Sequence, residues 1–144
     1  MPAESLRILL IDDNQHGLVA RRELLRGEGY KVEVASSGQE GLDAFSARAF
    51  DLVVTDYRMP GMSGQQVIRK IRQQKPGVPI VLLTGYAETL GLSEESTGAD
   101  IVVSKGPREV RDLLRVIARF SGRRAAKPPA RAPGPRPAGK RKAG

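Results

Sequence analysis

LRILLIDDNQ, at residues 6–15, carries an apolar run directly into two carboxylates. The residues from Ile8 to Ile11 form a short run of β-branched and leucine side chains, which indicates a buried strand. Asp12 and Asp13 follow at once, and two adjacent like charges repel unless a cation compensates them or water solvates them. The stretch therefore predicts a strand that ends at a site for a metal ion, a lysine or water.

Four further apolar runs follow along the chain, and amphipathic segments separate them. The five runs occupy residues 7–11, 31–35, 51–55, 80–84 and 101–104. Four of them are apolar throughout, which is typical of strands buried on both faces of a parallel sheet, whereas KVEVA at 31–35 alternates and is expected at an edge. Because strand and helix alternate five times, the sequence predicts an α/β doubly wound, five-stranded parallel sheet with five helices.

The amphipathic segments predict the helices and the faces that they bury. They occupy residues 15–27, 36–45, 63–74, 87–97 and 107–120. In the first helix Leu18 and Leu25 are expected to face the core, while Arg21 is expected mainly on the solvent side. In the last helix Val110 and Leu113 are expected to be buried.

The positive charge of the chain is concentrated in its tail. There are 24 basic and 16 acidic residues, a formal charge of +8, and eight of the basic residues but no acidic ones lie from Gly122 onward. Residues 1–121 therefore have no formal net charge, which argues against a nucleic-acid-binding domain. The proline-rich tail lacks aromatic residues and is interpreted as a disordered linker or solubilising segment. Attraction of this tail to nucleic acid or to an anionic surface is the alternative.

Several kinds of site and location are disfavoured by what the sequence lacks. The chain has no cysteine, so that disulfides and thiolate metal sites are unavailable. Its first residues do not resemble a signal peptide, and no apolar run approaches the roughly 20 residues that span a bilayer. We therefore expect a cytoplasmic protein without a membrane span.

Polar side chains stand at the carboxyl ends of four predicted strands. Asp12 and Asp13 follow the first strand, Asp56 the third, and Lys105 the fifth, while Thr84 ends the fourth. In open α/β sheets, ligands bind beyond the carboxyl ends of the strands. Three carboxylates form a hard oxygen site that suits Mg²⁺, and a lysine supplies a point charge for a phosphoryl oxygen. The sequence therefore predicts a site for a metal ion and a phosphoryl group at this edge.

Four motifs together resemble the receiver domain of bacterial two-component response regulators. They are IDDN at 11–14, TDYRMPGMSG at 55–64, LLTGYA at 82–87 and GADIVVSKG at 98–106. The resemblance covers roughly residues 5–121, in order and with consistent spacing. It implies a flavodoxin-like strand order of 2-1-3-4-5, a receiver domain at residues 1–121 and a separate tail at residues 122–144.

The resemblance implies a phospho-acceptor chemistry. Asp56 takes a phosphoryl group from a histidine of a sensor kinase or of a phosphotransfer protein. Lys105 pairs first with Asp56 and then with the phosphate, and Thr84 hydrogen-bonds a phosphoryl oxygen. The protein is accordingly expected to be a switch that signals through protein contacts, with self-catalysed phosphotransfer and slow loss of the phosphoryl group, rather than an enzyme.

The resemblance also implies a Mg²⁺ site. Asp13 and Asp56 are its direct carboxylate ligands, the backbone carbonyl of Arg58 contributes, and Asp12 acts mostly through water. A carboxylate attacks a dianionic phosphoryl group poorly unless a metal ion and a lysine cancel the repulsion. The adjacent aspartates are thus interpreted as holders of the metal.

Val102 departs from the family pattern. Family members usually carry Phe or Tyr three residues before the lysine, and the rotation of that ring reports phosphorylation; Tyr86 is the nearest substitute here. The departure leaves open a degenerate receiver that serves as a phosphorylation-independent docking scaffold. An aspartyl-nucleophile phosphatase is a further alternative, although such enzymes place a second Asp two residues after the nucleophile, where this chain has Arg58.

Overall fold

The computed structural model describes residues 5–85 and 91–126 of the 144-residue chain. The strands are β1 (Arg7–Ile11), β2 (Lys31–Ala35), β3 (Leu52–Asp56), β4 (Ile80–Thr84) and β5 (Ile101–Ser104). The helices are α1 (Gln15–Gly27), α2 (Gly38–Ala47), α3 (Gly64–Gln74), α4 (Glu94–Thr97) and α5 (Glu109–Ala126). Strand and helix alternate along the described chain as the sequence predicts.

All five strands are parallel and lie in the order β2-β1-β3-β4-β5. The register places Ile11 beside Thr55, Asp56 beside Leu83, and Thr84 beside Ser104. Because the strands run in one direction, their carboxyl ends meet at one edge of the sheet. The predicted fold class and strand order are confirmed.

Two apolar layers cover the two faces of the sheet. Successive side chains of a strand point to opposite faces, and in β1 Leu9 and Ile11 belong to one layer while Ile8 and Leu10 belong to the other. The first layer contains core residues of α2 and α3, and the second contains core residues of α1 and α5. This two-sided burial is why the central strands are apolar throughout.

The two edge strands differ in how well the sequence predicts them. The alternating β2 lies at one edge, as predicted, and β5 lies at the other, as the order 2-1-3-4-5 requires, although the apolar run of β5 predicts burial on both faces. Ile101 and Val102 are only half-buried, because β5 has a strand partner on one side alone. The N–H of Val102 donates to the carboxylate of Glu94 at 2.9 Å, and this contact occupies a backbone donor of the edge strand.

Helix α5 corrects the prediction for the last helix. It begins at Glu109 rather than at residue 107, and it runs to Ala126, past the predicted end at residue 120. Leu113 is fully buried, but Val110 is 51% exposed, so that its predicted burial is wrong. Periodicity identifies the apolar face of a helix, but it does not show where along the helix its packing partner begins.

Two predictions fall wholly or partly outside the described residues. Of the helix predicted at 87–97, the described part is α4, with the hydroxyl of Ser93 as its N-cap; Tyr86 belongs to the undescribed stretch. The tail beyond Ala126 is likewise outside the described residues. Within the described residues, no helix combines the length and the apolarity that crossing a membrane requires.

Candidate functional site

The five polar residues predicted at the strand ends lie at the same edge of the sheet. Asp12 and Asp13 follow β1, Asp56 and Thr84 are the last residues of β3 and β4, and Lys105 follows β5. One carboxylate oxygen from each of the three aspartates lies within 4.8 Å of the other two. The fold thus converts four separate positions in the sequence into one acidic cluster with a lysine beside it.

Asp56 is held at the base of this edge by an ion pair. Its side-chain oxygen lies 2.6 Å from the Nζ of Lys105, and the residue is only 5% exposed. A cavity of about 300 Å³ opens beside the pair and is lined by Asp56, Arg58, Thr84, Gly85 and Lys105. A small anionic group that enters this cavity reaches the carboxylate and the ammonium together.

Burial raises the pKa of the Asp56 carboxyl above its ordinary value of 3.8. The hydrogen bond and charge of Lys105 and the charge of Arg21 act in the opposite direction, while the charge of Asp12 adds to the rise. Since the net shift is upward, the ionised carboxylate is less favourable in the folded protein than in the unfolded chain. The site therefore holds an anion at some cost in stability.

Replacing Asp56 with asparagine is expected to raise the melting temperature of the metal-free protein at neutral pH. Because the folded-state pKa is raised, the folded protein binds the proton more tightly than the unfolded chain, and stability falls as pH rises through that pKa. The difference between the two proteins is thus absent below pH 3.8 and complete above the folded-state pKa. Thermal unfolding from acid to neutral pH measures it, and a difference independent of pH would contradict the prediction.

Gly64 allows the backbone to pass closely behind Asp56. A Cβ atom at this position would lie 2.2 Å from the carbonyl oxygen of Asp56 and 2.9 Å from the Cα of Tyr57. The N–H of Gly64 donates to the carbonyl of Tyr57 at 2.8 Å, at the start of α3, where Ser63 and Gln66 form a capping box. The first turn of α3 therefore supports the strand end that presents the carboxylate.

Arg58 is exposed and lines the cavity beside Asp56. The role that the resemblance implies for Arg58 belongs to its backbone carbonyl, which stays a prediction. Thr84 is buried at the end of β4 and also lines the cavity. Both residues thus border the cavity that opens beside Asp56.

The side chain of Arg21 lies against the acidic cluster. Its guanidinium Nη1 lies 2.7 Å from Asp12 Oδ2, its Nε lies 2.5 Å from Glu109 Oε2, and its side chain is 13% exposed. The prediction that Arg21 faces mainly solvent is therefore wrong. Gly17 is the feature of the sequence that indicates the inward position of Arg21. It lies four residues earlier on the same helical face, and the absence of a side chain there lets the arginine fold back toward Asp12.

The carboxylates are suited to a divalent cation. Oxygen donors are the preferred ligands of Mg²⁺, which is typically bound by one or two carboxylates and several waters. Asp12 and Asp56 are buried while Asp13 is exposed, so that a cation has access from solvent. That Asp13 and Asp56, rather than Asp12, hold such an ion directly stays a prediction.

A comparison with protein families matches residues 8–118 to the response regulator receiver domain. ZraR of Escherichia coli O157:H7, a transcriptional regulatory protein, is 36% identical over 87 residues, which are 60% of this chain and 20% of ZraR. The sensor histidine kinase GacS of Pseudomonas protegens is 36% identical over 124 residues, 81% of this chain and 13% of GacS. The chain therefore spans a fifth or less of the length of these two relatives.

Solved structures share the fold over most of the chain. The response regulator TrrA of Thermotoga maritima, in a complex with Mg²⁺ and BeF, superposes with a TM-score of 0.72 at 33% identity. The match covers 80% of this chain and 98% of the TrrA chain. At this identity and coverage, the likeness extends to the arrangement of strands and helices that builds the acidic edge.

Proposed function

Because the chain belongs to the response regulator receiver domain family of two-component systems, we propose that it accepts a phosphoryl group from a sensor histidine kinase or a phosphotransfer protein onto Asp56. The observation that carries this proposal is the position of Lys105, 2.6 Å from the buried Asp56 carboxylate, beside two further aspartates. The carboxylate of Asp56, the ammonium of Lys105 and the carboxylates suited to a metal ion lie at one edge of the sheet. A cavity large enough for a phosphoryl group opens at the same edge.

The proposed step is an in-line phosphoryl transfer. An oxygen of Asp56 forms a bond to phosphorus as the phosphorus–nitrogen bond of the donor phosphohistidine breaks, and the electron pair of that bond stays on the imidazole nitrogen. Such a transition state needs positioning and charge neutralisation more than covalent chemistry. Mg²⁺, when bound, supplies part of that neutralisation. Lys105 stabilises the negative charge that develops on the phosphoryl oxygens, and Thr84, which lines the same cavity, donates a hydrogen bond to one of them.

In this proposal the phosphorylated protein acts as a switch rather than as a catalyst that turns over. The acyl phosphate at Asp56 changes the charge at the edge of the sheet, and we propose that the signal passes on through protein–protein contacts. The division into a receiver domain at 1–121 and a tail at 122–144 stays a prediction, as does a cytoplasmic location. Helix α5 continues through that boundary to Ala126.

Incubation with acetyl phosphate or phosphoramidate, followed by intact mass spectrometry, tests the proposal. The wild-type protein is expected to gain the mass of one phosphoryl group in the presence of Mg²⁺, and to gain much less when a chelator removes the metal. Asp56→Asn is expected to gain none, because an amide lacks the nucleophilic carboxylate oxygen. Asp43→Asn, which changes an exposed carboxylate on α2, is the matched control and is expected to behave as wild type.

Two results would contradict the phospho-acceptor proposal. An adduct that persists in Asp56→Asn would place the modified residue elsewhere. A wild-type protein that takes no phosphoryl group from either donor with Mg²⁺ present would favour a docking scaffold that acts without phosphorylation.

A further inference from the structure

The guanidinium of Arg21 joins two carboxylates that are far apart in the sequence. It contacts Asp12 at the end of β1 and Glu109 in the first turn of α5, at 2.7 Å and 2.5 Å. All three side chains are at most 15% exposed, so that water screens these contacts little. The arginine is therefore a fixed positive charge inside the acidic edge, attached at the same time to a neighbouring helix.

The local sequence is arranged to admit this side chain. Gly17 lies one helical turn before Arg21, and a Cβ there would lie 2.8 Å from the Nη1 atom of the arginine. Gly17 lies in the first turn of α1, and its missing side chain leaves the space that the guanidinium crosses to reach Asp12. The arginine is thus held by α1, β1 and α5 together.

Both oxygens of Asp12 are already engaged. Oδ1 accepts a hydrogen bond from the N–H of Asn14 at 3.0 Å, and Oδ2 accepts one from Arg21 at 2.7 Å. A hydrated divalent cation that approaches Asp12 is attracted to its carboxylate, but the guanidinium of Arg21 already occupies Oδ2. The cation and the guanidinium carry charge of the same sign, and burial strengthens the repulsion between them.

We propose that Arg21 is a positioning residue that competes with the divalent cation for Asp12 and thereby lowers the affinity of the site for Mg²⁺. Through its contact with Glu109, Arg21 also couples the occupancy of the metal site to the first turn of α5. This inference rests on the proposed function, since it concerns the same metal site. Binding of Mg²⁺ weakens the Arg21–Asp12 contact, and the guanidinium shifts its interaction toward Glu109. Coupling of this kind is reciprocal, so a partner that holds Arg21 at Glu109 would raise the affinity for Mg²⁺.

Calorimetric titration with Mg²⁺ alone, without a phosphoryl donor, tests the competition. Arg21→Gln is expected to bind Mg²⁺ about tenfold more tightly, the order of effect of one charged neighbour on a carboxylate. Glu109→Gln is expected to bind it several-fold more weakly, because Arg21 is then left to Asp12. In the Arg21→Gln background the Glu109 substitution is expected to have little effect. Arg22→Gln, a neighbour that pairs with Glu23 away from the site, is the charge-matched control and is expected to match wild type.

Backbone amide spectra test the coupling to α5. Mg²⁺ is expected to shift the amide signals of residues 109–112 in the wild-type protein and to leave them in place in Arg21→Gln. Arg21→Lys keeps the charge but cannot contact both carboxylates through one planar fork. It is expected to compete with Mg²⁺ less strongly than arginine does, and Mg²⁺ is expected to leave its amide signals at residues 109–112 in place. Circular dichroism of each variant verifies that it is folded.

The outcomes separate this inference from the proposed function. Wild-type protein that binds no Mg²⁺ would overturn both. Wild-type protein that binds Mg²⁺ while Arg21→Gln binds it equally or more weakly would overturn the competition alone. An equal effect of Glu109→Gln in the two backgrounds would overturn the route through Arg21.

Discussion

Gly64→Ala is expected to lower the free energy of unfolding by about 3 kcal/mol, at the upper end of the range for overpacked positions. The added Cβ would lie 2.2 Å from the carbonyl oxygen of Asp56, and that oxygen belongs to the backbone of a central strand. A flexible side chain could move aside, but this backbone is held by the hydrogen bonds of β3 to its neighbours and by the N–H of Tyr57, which donates to the carbonyl of Leu83. Helix α3 must therefore shift away from the strand end.

The same substitution is expected to slow phosphorylation, because a displaced strand end moves Asp56 away from Lys105. Urea unfolding measures the stability, and mass spectrometry with acetyl phosphate and Mg²⁺ measures the adduct. Gly27→Ala is the matched control, since no heavy atom lies within 4 Å of its Cβ position at the end of α1. That control is expected to be as stable as wild type or slightly more stable. An unchanged urea midpoint in Gly64→Ala would contradict the argument.

Lys105→Met is expected to lower the free energy of unfolding at neutral pH by about 2 kcal/mol, less than the cost of breaking a fully buried pair. The substitution leaves Asp56 buried without its nearest cation, while the apolar part of the lysine is retained. Because the Lys105 side chain is 32% exposed, solvent enters part of the space and limits the cost. The loss of the lysine removes an effect that lowers the pKa of Asp56, so the pKa rises further.

The pH dependence and a second substitution identify the cause. The destabilisation by Lys105→Met is expected to be absent below the folded-state pKa of Asp56 in the wild type, to grow between that pKa and the higher one in the variant, and to be complete above both. In an Asp56→Asn background, the same substitution is expected to cost little, because no buried charge is left unpaired. Urea unfolding of the four proteins measures this cycle. An equal cost in both backgrounds would show that Lys105 stabilises the fold by other contacts.

The order of strands and helices follows from local patterns in the sequence. Apolar runs such as RILLI and DLVVT indicate strands because a strand covered on both faces contacts only other apolar side chains. The acidic edge follows as well, since parallel strands bring their carboxyl ends together wherever they lie in the sequence. The sequence alone therefore places Asp12, Asp56 and Lys105 at one edge.

Arg21, Val110 and the strand β5 show where local patterns end and tertiary structure decides. Helical periodicity places Arg21 on the solvent side, yet the buried carboxylate of Asp12, the half-buried carboxylate of Glu109 and the space beside Gly17 turn it inward. Val110 shares the apolar pattern of its helix but is exposed, and the apolar run of β5 predicts burial on both faces although Ile101 and Val102 are only half-buried. The sequence thus determines which side chains meet at the ends of the strands, because strand direction and alternation are local properties. Which charge compensates which, and which apolar side chain finds a cover, depends on segments that are far apart along the chain and is decided only when they pack.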